Sequence, residues 1–155
     1  MPTGSGDEKL RDIDKAYLDK HQIGPMFETL LSNMVQHQPQ DPLQYIIDAV
    51  EFNAEYAKQD PVTGLPEHRK AKLLDVFRLI DKEGRGRISY QNLQSYATKY
   101  GGATLKDEEL ESIFSDFHPG KDSQITMQEF LVFFSKASKA VPNAAFDSLI
   151  QELMT

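Results

Sequence analysis

The chain contains no cysteine. That excludes disulfide frameworks, cysteine-based zinc sites and thiol nucleophiles, and it accords with an intracellular setting. No run of about 18 apolar residues occurs, so no transmembrane helix is expected. Residues 1–7 are small and polar and lack the apolar stretch of a signal peptide. Basic residues are the minority charge: 17 Lys and Arg stand against 24 Asp and Glu, for a formal net charge of −7. With no Lys/Arg cluster to override that average, neither nucleic acid nor an anionic membrane is an expected partner, because both require a basic patch. The expected compartment is the cytoplasm, the nucleus or an organelle continuous with the cytoplasm.

Catalytic constellations are missing as well. No glycine-rich loop followed by Lys-Ser/Thr occurs, and Gly84-Arg85-Gly86 is too short for a dinucleotide fingerprint. His21, His37, His68 and His118 are scattered without metal-ligand spacing. Glu108-Glu109 belong to a charge-rich helix and read as its solvated face. No nucleophile–base pairing can be assembled, so an enzyme is not expected.

What is present is 155 residues, 39% hydrophobic and 26% charged, enough for one ordinary domain or two small ones. Residues 1–11 read as a flexible tail and 12–20 as a short helical turn. The organising stretch is 17–55, two apolar helices across a proline-bounded turn. The first is predicted from about Pro25 to Gln36 and carries two adjacent stripes at a spacing of four. Met26, Leu30 and Met34 form one; Phe27, Leu31 and Val35, extended back to Ile23, form the other. One stripe suffices to face one core, so two imply packing on two sides. Asp41 is placed as an N-cap and Pro42 as the first residue of the second helix, where a missing N–H costs nothing. That helix carries Leu43, Tyr45, Ile46, Ile47, Val50, Phe52 and Ala54. Residues 57–66, with Asp60, Pro61, Gly64 and Pro66, form an aperiodic linker.

Tyr17-Leu18, His21, Ile23, Phe27, Leu30-Leu31, Pro39, Asp41-Pro42-Leu43 and Tyr45 resemble the docking-and-dimerisation hairpin of the RIIα-like family, Dpy-thirty type included. The resemblance covers residues 12–56, about the first third of the chain. It implies an antiparallel four-helix bundle made from two hairpins, as a homodimer or as a heterodimer with a related RIIα-like protein. It also implies a groove that receives an amphipathic helix of an anchoring or spoke protein. Carried over by position, Ile23, Phe27, Leu31 and Val35 would line that groove. Met26, Leu30, Met34, Leu43, Ile46, Ile47 and Val50 would form the dimer core, and the two stripes could exchange roles.

From residue 67 the pattern becomes helix, loop, helix, twice over, to residue 138. It resembles an EF-hand pair: Gly86 stands at the sixth position of a loop 81–92, and Ile88 and Ile125 stand at the eighth positions of two loops about 37 residues apart. The resemblance implies a short two-stranded bridge between the loops. A working calcium loop needs oxygen ligands at one, three, five and nine and a bidentate Glu at twelve. The first loop offers Asp81, Glu83 and Ser89, but Arg85 stands at five and Asn92 at twelve. The second, 118–129, keeps Asp122, Thr126 and Glu129, but has His118 at one, Gly120 at three and Ser123 at the turn position. By that ligand count no metal site and no cofactor, calcium included, is expected. Residues 139–155 form a last amphipathic helix capped by Asn143, with Phe146, Leu149, Ile150 and Leu153 on one side, expected to fold back on its own lobe, the alternative being that it reaches a neighbouring protein.

The expected fold class is therefore all-α: a hairpin that becomes a four-helix bundle on dimerisation, then an EF-hand-like lobe. Together the two resemblances imply a non-enzymatic adaptor of the ciliary axoneme, in a radial spoke or the central apparatus. A calcium-sensing EF-hand protein is one alternative. An anchoring subunit of a kinase or nuclear complex is the other.

Overall fold

The computed structural model describes residues 5–100, 107–117, 119 and 123–154. It is all-α apart from one two-stranded antiparallel ribbon. Among the described residues no helix is long and apolar enough to cross a membrane. The chain divides into two compact units, one ending at Lys58 and one beginning at Gln59.

The first unit holds α1 (Ser5–Lys20), α2 (Ile23–His37), α3 (Pro42–Glu51) and the single turn α4 (Ala54–Ala57). Helix α1 is continuous from Ser5, where the sequence suggests a tail as far as residue 11. The reason is that nothing between Asp7 and Lys20 is a proline or glycine able to end it. Gln22 and Gln38 bracket α2 in left-handed conformations, with φ of 54° and 45°. The Gln38 N–H closes on the Met34 carbonyl at 2.7 Å, which ends the helix. The Asp41 carboxylate accepts from the Gln44 N–H at 3.2 Å and Pro42 opens α3, as expected. The second helix is shorter than its apolar pattern suggests. Asn53 takes an extended conformation and its side chain accepts from the Tyr56 N–H at 2.9 Å, so a new turn starts at Ala54.

The core of this unit is small: Leu30, Tyr45 and Ala57, with Met34, Ile46 and Ala49 packed against them. The Tyr45 hydroxyl lies 3.3 Å from His37 Nδ1, and burial raises the phenol's pKa above its ordinary value. Asp48 is also buried, one carboxylate oxygen accepting from Gln44 Nε2 at 2.9 Å.

The second unit holds α5 (Glu67–Ile80), β1 (Arg87–Ile88), α6 (Tyr90–Tyr100), α7 (Asp107–Asp116), β2 (Ile125–Thr126), α8 (Met127–Ser138) and α9 (Asn143–Met154). In the ribbon, Ile88 pairs with Ile125 and Arg87 with Thr126, the bridge the sequence implies. Around it the apolar faces of α5, α6, α7 and α8 close one core that includes Leu73, Val76, Phe77, Phe117 and Phe130. The Phe130 ring meets Phe77 edge-on at 5.3 Å and stacks on Phe117 at 5.7 Å, favoured arrangements for aromatic quadrupoles. Helix α9 completes this core: Phe146 and Ile150 are buried in it and Leu153 packs on it. Three of the four residues of the stripe read from the sequence are thus covered within the same unit, while Leu149 stays exposed.

Asp60 closes the turn that leads into α5. Its carboxylate pairs with Lys70 Nζ at 2.8 Å and accepts from the Val62 and Thr63 N–H groups. The Lys70 hydrogen bond, aided by those backbone donors, lowers its pKa to about 2. A depressed folded pKa stabilises above the unfolded value, roughly 3.9, and that contribution is lost as pH falls toward 2. Asp60→Asn is expected to destabilise the chain by about 1 kcal/mol at neutral pH, after discounting for solvent screening. Urea unfolding should show the two proteins converging between pH 4 and 2; a pH-independent difference would refute the ion pair's contribution.

Candidate calcium loops and an exposed hairpin face

The first loop, 81–92, is closed by its own hydrogen bonds. Asp81 Oδ1 accepts from the Arg85 N–H at 3.1 Å and Oδ2 from the Gly86 N–H at 2.8 Å. Gly84 and Gly86 supply the positive φ values, 65° and 78°, that this turn requires. Glu83 faces Arg85 at 3.6 Å, so the cation at position five takes up the carboxylate at position three. Asn92 Oδ1 accepts from both the N–H and the hydroxyl of Ser89, at 2.9 and 2.8 Å. The residues at nine and twelve therefore bind each other and start α6. This donor set does not fit a divalent cation.

The second loop presents a different picture. In its first half, His118, Gly120 and Asp122 lie outside the described residues. Ser123 adopts φ 55° at the sixth position, the conformation that glycine supplies in the first loop. Thr126 caps α8, its hydroxyl accepting from the Glu129 N–H at 3.1 Å. The Glu129 carboxylate at position twelve carries a buried Oε2 with no hydrogen-bond partner among the described residues, and so does Gln124 at Oε1. Leaving a buried carboxylate oxygen unbonded is costly unless a cation or water completes it. Among the described residues no three His, Asp or Glu side chains converge. The described half thus contributes Glu129, at the closing position of a loop whose other acid, Asp122, lies outside it. Beside it opens a cleft of about 760 Å³, lined by Asp116, Phe117, Glu129, Val132 and Phe133 among others.

In the hairpin, Leu30 is buried, and Met34 and Ile46 pack on its small core. Phe27, Leu31 and Val35 are 51%, 58% and 73% exposed, and Ile23 is half-buried. Met26, Leu43, Ile47 and Val50 are exposed too, and Met26, Leu30 and Val50 share a cleft of about 520 Å³. The apolar side chains thus divide between one face turned to α3 and a wide face turned to solvent. Gln124 and, in α5, the buried Arg69 escape a reading of the sequence, because neither belongs to an apolar stripe or a ligand position.

Residues 70–135 match the family model of the EF-hand domain pair. The human EF-hand calcium-binding domain-containing protein 10 is 29% identical over 132 residues, covering 84% of this chain and 96% of that protein. The probable calcium-binding protein CML18 of Arabidopsis thaliana is 27% identical over 161 residues, 95% of this chain and 93% of its own length. Human centrin-3 is 31% identical over 64 residues, 41% of this chain and 38% of centrin-3. No solved structure matches. None of these descriptions is that of an enzyme. They correct the expectation of no cofactor: an EF-hand pair and relatives named for calcium binding point to calcium. The ligand count gave the second loop little weight; there Glu129 Oε2, at position twelve, has no hydrogen-bond partner among the described residues.

Proposed function

We propose that this chain is a non-catalytic calcium-responsive regulator whose second EF-hand loop takes the cation and whose N-terminal hairpin self-associates. The observation that carries the first half is the buried Oε2 of Glu129, without a hydrogen-bond partner among the described residues, at the closing position of an EF-hand-like loop. Glu129, Thr126 and Asp122 would hold the ion, with the position-seven carbonyl of Gln124 beside them. With His118 and Gly120 at positions one and three, affinity falls below the sensor range, on the order of 10⁻⁴ M. Isothermal titration of the full chain with calcium should give one site in that range. A flat trace at millimolar calcium refutes the reading.

The second half rests on the solvent-facing stripe of α2 and the exposed Leu43, Ile47 and Val50 of α3. So broad an apolar surface on a 58-residue unit favours association, and the resemblance to RIIα-like hairpins supports a second copy or a related hairpin as the partner. The same resemblance supports a further amphipathic helix on the bundle, and together with the EF-hand resemblance it supports a place in the ciliary axoneme. Ile47→Asp should convert the dimer to monomer without loss of helix, because a charge cannot be buried unpaired in an apolar seam. Light scattering giving dimer mass for this variant would place the seam elsewhere.

A further inference from the structure

Arg69, in the first turn of α5, is only 3% exposed, an unusual place for a guanidinium. Its Nη1 donates to the Ser138 carbonyl at 2.8 Å, at the last turn of α8. Its Nη2 donates to the Val141 carbonyl at 2.6 Å and to Asn143 Oδ1 at 2.8 Å. Its Cζ lies 4.8 Å from the ring centroid of Phe146, a cation–π distance. One side chain thus holds the end of α8, the 139–142 connection and the start of α9 together. Farther along, Lys72 pairs with Asp147, and the Tyr96 hydroxyl donates to the Leu153 carbonyl at 2.5 Å.

From this geometry we infer that α9 is a releasable strap over the lobe, that Arg69 is its lock, and that α8 is the lever connecting the lock to the second loop. The inference deepens the calcium reading and rests on it for the trigger. Helix α8 runs unbroken from Met127 to Ser138, so Glu129 and the Ser138 carbonyl lie roughly 13 Å apart on one rigid rod. A cation that draws Glu129 into its coordination sphere tilts that rod. The far end then moves relative to α5. A buried guanidinium tolerates such a shift poorly, since every acceptor withdrawn leaves a charged donor without its bond. The contacts therefore release together. Release uncovers Phe146 and Ile150 and the lobe face beneath them, an apolar surface suited to a helix from another protein.

Hydrogen exchange on the full chain tests this, with calorimetry on the same samples. Without calcium, Arg69→Met should speed exchange of the α9 amides at least tenfold while α6 and the ribbon change less than twofold. Arg69→Lys, which keeps the charge but cannot fork to three acceptors, should fall between. Asp147→Lys, which repels Lys72 from outside the core, should also speed α9 alone. In the wild type, saturating calcium should speed α9 at least fivefold. Uniform acceleration of the whole lobe in Arg69→Met and Asp147→Lys alike would make Arg69 an ordinary core residue and overturn the lock. Calcium heat without a change in α9 would overturn the lever and leave the calcium reading standing. An absence of calcium heat would overturn that reading and the trigger together.

Discussion

Glu129→Gln is expected to weaken calcium binding about 100-fold, equivalent to about 2.7 kcal/mol. The substitution keeps the size and one oxygen of the side chain but removes the charge and the second oxygen of a bidentate ligand. The Thr126 cap bonds to the Glu129 backbone N–H and survives the change, so α8 should form as before. Far-ultraviolet circular dichroism without calcium should be unaltered, which separates a lost ligand from a lost fold. Glu129→Asp gives an independent check, because its shorter arm keeps the charge and loses the reach. Unchanged affinity in both variants would remove the second loop from the calcium site.

The largest stability effect is expected at Phe130. Its ring is 2% exposed and touches Phe77, Phe117 and Phe134 at centroid distances of 5.3, 5.7 and 4.8 Å. It joins α5 to the second helix–loop–helix repeat. Phe130→Ala removes the ring and leaves a cavity that helices pinned by the ribbon cannot collapse, at a cost of about 3–5 kcal/mol. Against a total stability of roughly 5–15 kcal/mol for a domain, that is a large fraction. Urea unfolding followed at the lobe should show a midpoint lowered accordingly. Phe130→Leu should cost less, as it refills most of the volume. A loss below about 1 kcal/mol for the alanine variant would mean the aromatic cluster is not the lobe's structural centre.

Much of the architecture could be read from residues alone because it is written locally. The Asp41-Pro42 pair starts α3, and the spacing of Ile88 and Ile125 marks two loops that pair across a two-residue ribbon. The start of α1 and the break at Phe52–Asn53 were less legible. The break is a competition between neighbouring conformations of similar energy, settled by Asn53 capping its own turn. In the second loop, residue identity argues against calcium, whereas Glu129 Oε2 has no partner among the described residues, and the chain as a whole is similar to proteins named for calcium binding. A ligand count weighs each side chain equally. The free energy of a site depends more on whether its one bidentate carboxylate is already satisfied.

Sequence by itself determined the all-α class, the two-part layout and the amphipathic nature of the last helix, which follow from periodicity, caps and turn residues, and the resemblance to EF-hands implied the pairing of the two loops. Only the tertiary structure decided which loop has closed on itself and which keeps a carboxylate oxygen without a partner among the described residues. It alone decided where α9 rests and that Arg69 holds it. An arginine in the first turn of a charged helix reads as solvated surface, because its role depends on carbonyls 69 and 72 residues further along the chain. Periodicity reports the faces of a helix. It does not report which distant acceptors a single buried cation will find.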